Sequence, residues 1–128
     1  ALAPDELLLD TRLPLLDAGT RAGFNEFNRR AGDFAQAMSV VVYRLQNGVI
    51  VEPRIGVGAV EAAPRRIAVA EALLAGQKPS TALFEAAAAA AAENVEPIDQ
   101  GSDTAAYKRD LVSAVVARAL AVAEDNHE

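Results

Sequence analysis

The 128-residue sequence contains no cysteine, no tryptophan, one methionine and one histidine. Without cysteine the chain can form no disulfide and can offer no thiolate to a zinc or iron–sulphur site. The single imidazole, His127, lies in a charged tail, which argues against a histidine-based metal site or a Ser-His pair built from this chain alone. Aromatics are scarce, four Phe and two Tyr, so the core must rest on Leu, Val and Ile with closely packed Ala. Cations are the minority charge: 12 Lys and Arg against 18 Asp and Glu give a formal charge of −6. Phosphate-backbone binding depends on clustered cations, so the balance argues against nucleic acid and against an anionic membrane surface. No apolar run approaches the ~20 residues that span a bilayer, and the basic and apolar regions of a signal peptide are missing, so the chain reads as cytoplasmic. It begins at Ala1 without an initiating Met, as expected of an excerpt or processed product of a longer polypeptide.

A chain of this length fits one domain and can bury roughly two thirds of the surface its unfolded form exposes. Glu6–Pro14 alternates, with Leu7, Leu9, Thr11 and Leu13 on one side and Leu8, Asp10 and Arg12 on the other, which predicts a strand ended by Pro14. Asp17–Gly23 reads as a connection. Phe24–Arg30 is expected to be extended, with Gly32-Asp33 bending the chain before Phe34 turns into the interior. Met38–Gln46 and Val49–Val60 are strand-like runs around Asn47-Gly48, the pair suited to the positive φ angles of a type I′ hairpin turn. On the second run Val49, Val51, Ile55, Val57 and Ala59 share a face, and Pro53, which cannot donate to a ladder, predicts an edge or a bulge. Gly56 and Gly58 leave the opposite face bare, open to a neighbouring backbone, a helix or a ligand, and tight helix–sheet packing is the commoner cause of such a pattern.

Pro64 and Gly76 frame a predicted helix over Arg65–Ala75, with Ile67, Ala70, Leu73 and Leu74 as its apolar stripe and Arg66 and Glu71 left for polar contacts. Ser80 or Thr81 can cap the next helix, which runs through the seven alanines Ala86–Ala92 and stops before Pro97. Thr104 can cap a last helix with Tyr107, Leu111, Ala114, Val115, Arg118 and Val122 at helical spacing, and the tail from Glu124 should fray. Strands followed by helices give an α+β fold.

Four stations occur in order: Arg29-Arg30-Ala31-Gly32-Asp33-Phe34-Ala35; Pro64-Arg65-Arg66 with Glu71; Leu74-Ala75-Gly76-Gln77; and Glu96-Pro97-Ile98-Asp99 leading to Tyr107-Lys108-Arg109. Together they resemble the C-terminal domain of the FAD-binding medium subunit of molybdenum hydroxylases, the family of carbon monoxide dehydrogenase and xanthine dehydrogenase. The resemblance implies a small antiparallel β-sheet packed against three α-helices. It also implies division into a leading strand and linker (1–23), the domain proper (24–124) and a tail (125–128). In such subunits the upstream FAD-binding domains hold most of the FAD and this domain closes over the flavin. Electrons come from the molybdopterin-binding large subunit through the iron–sulphur small subunit.

On that resemblance Arg29, Arg30, Asp33 and Glu26 are the candidate cofactor-binding residues. Relatives often carry lysine near Glu26, where a cation would favour the anionic reduced flavin, and Gln100–Thr104 departs from the usual pattern of the family. No catalytic or metal residue is assigned. No glycine-rich phosphate loop precedes a helix, so the isolated chain is not expected to retain FAD. Each residue also has a plain structural reading: Arg30 pairing with Asp33 to pin the bend while Arg29 is solvated, Asp33 as a turn-former, Tyr107 and Arg109 in helix packing with a salt bridge, and Glu93, Glu96, Asp99 and Asp103 as a solvated acidic loop. The alternative function is a flavin-free interaction or assembly module of the same fold.

Overall fold

The Asn47-Gly48 turn organises the sheet. In a computed structural model describing residues 3–13, 15–17, 19–98 and 103–126, both residues have positive φ, 53° and 77°, and they join β2 (Ala37–Gln46) to β3 (Val49–Gly58) as an antiparallel hairpin. β1 (Thr20–Phe27) pairs with β2, and β4 (Arg65–Arg66) pairs with the far edge of β3. The four antiparallel strands therefore lie in chain order.

Between β2 and β3 the register breaks: Val42 faces Arg54 and Arg44 faces Val51, so Glu52 and Pro53 together oppose Tyr43. Glu52 sits at φ 51°. This is a β-bulge, and it accommodates a proline that could not serve in a regular ladder. It also changes the side-chain parity of β3. Ile50, Ile55 and Val57 face the core, whereas Val49 and Val51, expected to share the face of Ile55 and Val57, are only half-buried.

Ala37, Ser39, Val41 and Tyr43 alternate along β2 toward α3 (Ala105–Asp125), against which α2 (Thr81–Glu93) packs. The approach is closest at Gly23, where an added Cβ would lie 1.9 Å from the Ala119 carbonyl oxygen and 2.7 Å from the Ala123 nitrogen of α3. Tight helix–sheet packing thus falls on Gly23, not on Gly56 and Gly58, which lie on the side away from the helices. Ala87, Ala88, Ala91 and Ala92 of the alanine tract are buried, and their small side chains let the helices pack closely. Ser80 Oγ accepts from the Leu83 amide and Thr104 Oγ1 from the Tyr107 amide, both at 3.2 Å, the caps expected of these residues. The buried stripe of α3 runs through Leu111, Val112, Val115, Val116, Ala119, Leu120 and Ala123, leaving Tyr107, Ala114, Arg118 and Val122 outward.

Four further expectations are corrected. Residues 3–13 form no strand and are exposed. Phe34 is 99% exposed instead of entering the core. The helix expected from Arg65 begins later, as α1 (Ala68–Leu74), because Arg65-Arg66 extends the sheet and the Ile67 amide still donates to the Ile55 carbonyl at 2.9 Å; Leu73 of its expected stripe is exposed. Glu124, assigned to a fraying tail, lies within α3, where its carboxylate accepts from Tyr43 Oη at 2.7 Å and pairs with Arg21 at 2.9 Å. Burial and this carboxylate raise the Tyr43 pKa. Pro14 and His127 lie outside the described residues.

Candidate functional site

With the helices on one side, the other side of the sheet stands open. Its rows follow from the register: Phe24, Val40, Gly56 and Arg66 lie abreast, and Glu26, Met38 and Gly58 form the next row toward the β1–β2 loop. Phe24 and Val40 are each about half exposed. Met38, Val40, Gly56, Gly58, Pro64 and Arg66 are among the residues lining an open cavity of about 410 Å³. An added Cβ at Gly58 would meet Met38 Cε at 2.7 Å, whereas one at Gly56 would find nothing nearer than the Val40 carbonyl at 3.7 Å. The missing side chains therefore leave a flat apolar floor.

The loop over 28–36 borders this floor. Its bend is held by backbone: the Asp33 amide donates to the Arg30 carbonyl at 3.1 Å, and the Gln36 amide to the Phe27 carbonyl at 2.7 Å. Asn28 Nδ2 donates to the Asp33 carbonyl at 3.4 Å. Gly32 supplies the left-handed turn at φ 88°, a conformation costly for any residue with a Cβ. The expected pairing is reversed. Arg29, the cation expected to be solvated, pairs with Asp103 at the approach to α3, and the second Asp103 oxygen accepts from Gln36 Nε2 at 2.9 Å. Arg30 and Asp33 are exposed and form no side-chain ion pair among the described residues. Glu26 is exposed on the open face opposite Met38.

The second cationic station is structural. Arg66 Nε and Nη2 donate to the Glu71 carboxylate at 2.9 and 2.6 Å, and the Ile55 amide donates to it at 2.9 Å. Burial opposes ionisation of Glu71, yet these donors hold its carboxyl below the usual range. Arg65 donates to Glu61 at 2.7 and 3.1 Å, and Glu61 also accepts from the Glu96 amide at 2.7 Å. The Arg65 hydrogen bonds hold the Glu61 carboxyl below its ordinary pKa. Arg109 donates to the Val95 carbonyl at 3.4 Å, but the salt bridge expected with its packing does not form among the described residues.

Among the described residues no three acidic or imidazole groups converge as a metal site, and no helix is long and apolar enough to cross a membrane. Asp99 and Gln100–Ser102 lie outside the described residues. The pattern of single residues had not singled out Gln36 and Asp103 as partners of the loop, because contacts spanning 67 and 74 residues leave no local signature.

Residues 22–123 match the family model of the CO dehydrogenase flavoprotein C-terminal domain, and the chain belongs to that family. It is 32% identical to the nicotine 6-hydroxylase medium subunit of Paenarthrobacter nicotinovorans over 94% of its own length and 42% of that subunit. It is 28% identical to the carbon monoxide dehydrogenase medium chain of Afipia carboxidovorans, with the same two coverages. A solved structure of carbon monoxide dehydrogenase from Hydrogenophaga pseudoflava superposes with a TM-score of 0.84 at 32% identity, covering 91% of this chain and 40% of that one. The present chain thus spans less than half the length of the relatives it matches.

Proposed function

We propose that this chain is the C-terminal domain of the FAD-carrying medium subunit of a molybdenum hydroxylase, where it completes the flavin pocket and makes subunit contacts that support electron transfer from iron–sulphur clusters to FAD. The observation that carries this reading is the open apolar floor of Phe24, Met38, Val40, Gly56 and Gly58 beside a loop whose second arginine is uncommitted. FAD, when bound, supplies two-electron and one-electron chemistry through its ring system. The floor is suited to the flat apolar side of such a ring. No glycine-rich turn here opens a helix toward a pyrophosphate, so phosphate binding falls to upstream FAD-binding domains. The holoenzyme's large molybdopterin-binding and small iron–sulphur subunits are the assembly partners of this reading.

In this arrangement Arg30 supplies positive charge at the pocket border, Glu26 opposes it, and Asp33 shapes the loop. Arg29 has a different part: bound by Asp103, it fixes the loop rather than meeting the cofactor. In the full-length subunit, R30A should lower the FAD reduction potential and E26K should raise it, each by on the order of 30 mV, corresponding to about 1.4 kcal/mol for two electrons. Potentials that move in neither variant, with an unchanged flavin absorption band, would remove the loop from the pocket and favour the flavin-free assembly module.

A further inference from the structure

Arg44, Arg54 and Arg66 stand on the open side of the sheet, and two of them are spent inside the domain. Arg44 pairs with Glu52 at 2.7 Å and Arg66 with Glu71 at 2.6 Å. Arg54 is exposed and makes neither an ion pair nor a side-chain hydrogen bond among the described residues. Its charge helps to hold the Glu71 carboxyl down, but the hydrogen bonds of that carboxylate go to Arg66 and the Ile55 amide. The bulge gives Glu52 to Arg44.

The register puts this free guanidinium beside the apolar floor. Ala22, Val42 and Arg54 form the row next to Phe24, Val40, Gly56 and Arg66, so Arg54 lies two residues along β3 from Gly56, about 7 Å. A second open cavity of about 320 Å³ lies over this row, with Leu16, Thr20, Val42, Arg44, Glu52 and Arg54 among its lining residues. Domains that bring a flavin to the floor are folded bodies far wider than this spacing, so they cover Arg54 as well. Covering it takes a guanidinium out of water, which is costly unless the charge is paired and hydrogen-bonded. Within this domain Glu52 and Glu71 are already engaged, Glu26 lies two rows away, and Asp17, at the same cavity, forms no ion pair with Arg54. The acceptor therefore comes from the covering body. A planar guanidinium fork matches a carboxylate through two parallel hydrogen bonds.

We infer that Arg54 is a docking point for the upstream FAD-binding domains, receiving an aspartate or glutamate side chain of theirs in a two-pronged ion pair when the parts of the subunit close on each other. The inference rests on the reading of this chain as the C-terminal portion of that subunit. It gives the open side two halves: an apolar half for the flavin and, one row along, a charged half for the protein that carries it.

Arginine modification by phenylglyoxal, followed by peptide mass spectrometry, tests this on the flavin-free full-length subunit and on the 128-residue chain. Arg54 should react readily in the chain and about tenfold more slowly or less in the subunit, where it is reached only when the interface opens. R54Q should lower the melting temperature of the flavin-free subunit by several degrees and leave that of the chain unchanged. R54K, which keeps the charge and loses the fork, should fall between wild type and R54Q in the subunit. R44Q should act alike on both proteins, because its partner Glu52 is inside the domain. Equal reactivity of Arg54 in chain and subunit, or an R54Q effect that is the same in both, would overturn the proposal. Protection that appears only after FAD is added would also overturn it, giving Arg54 to the cofactor. Since these measurements use flavin-free protein, a protected Arg54 in a subunit that later fails to bind FAD would count against the flavin reading alone.

Discussion

Replacing Glu71 with alanine tests how the sheet edge is joined to α1. Its carboxylate is buried and receives one backbone and two guanidinium donors, from Ile55 and Arg66. Alanine leaves the Ile55 amide without its acceptor, a loss of about 1–3 kcal/mol for a buried donor. The pair with Arg66 adds little, because that guanidinium is 61% exposed and returns to water when released. E71A should therefore cost about 1–3 kcal/mol, E71Q about 1 kcal/mol because it keeps an acceptor, and R66A clearly less than E71A. Urea titrations of the 128-residue chain at pH 7 measure these values, and thermal melts should fall by about 3–5 °C per kcal/mol at this size.

The pH dependence has a defined sign. The folded-state carboxyl of Glu71 lies below its ordinary pKa, so its contribution is present above about pH 4.3 and fades as pH falls through the depressed value. Wild type and E71A should converge in acid. If R66A proved as costly as E71A, or E71A lay within about 0.5 kcal/mol of wild type, the Ile55 amide would not be the group that matters.

Other expectations address separate contacts. G23A places a methyl against the α3 backbone at 1.9 Å and should destabilise by about 3 kcal/mol, the upper part of the usual overpacking range, read by urea titration. Y43F removes the hydrogen bond to Glu124 and should cost about 1–2 kcal/mol at neutral pH. Tyr43 has a raised folded-state pKa, so wild-type stability should be complete below about pH 10 and decline above it, as the unfolded tyrosine ionises first; Y43F should lack that decline in alkaline melts. D103A frees Arg29 and Gln36 and should cost less than about 1 kcal/mol globally, while increasing amide exchange across residues 29–36.

The features legible in the sequence were those decided locally. Asn47-Gly48 defined the hairpin because its turn needs positive φ at two successive residues, and Ser80 and Thr104 announced their helices because a cap acts within three residues. The family stations identified the domain. What escaped was decided at a distance. Pro64 resembled a helix start, but β3 offered an unpaired edge to Arg65-Arg66. The bulge at Glu52-Pro53 exchanged Ile50 for Val49 and Val51 in the core. Gly23 has no flanking signal to mark it as the α3 contact, whereas Gly56 and Gly58 looked like one and belong to the open floor. Phe34 read as a core residue because an apolar side chain after a bend usually turns inward, yet here it stands in solvent. Within the candidate site, sequence placed Arg29 and Arg30 together, but only the fold separates the arginine held by Asp103 from the one left uncommitted.

The central claim is that this domain closes the flavin pocket, and the most direct measurement is the visible absorption spectrum of FAD bound to the separately produced upstream domains, recorded with and without this chain. The account predicts a colourless chain by itself, and a flavin band that shifts and sharpens when the chain joins the upstream domains. R30A should weaken that change. A spectrum that is the same in the presence and absence of the chain, with complex formation verified by sedimentation, would contradict the account.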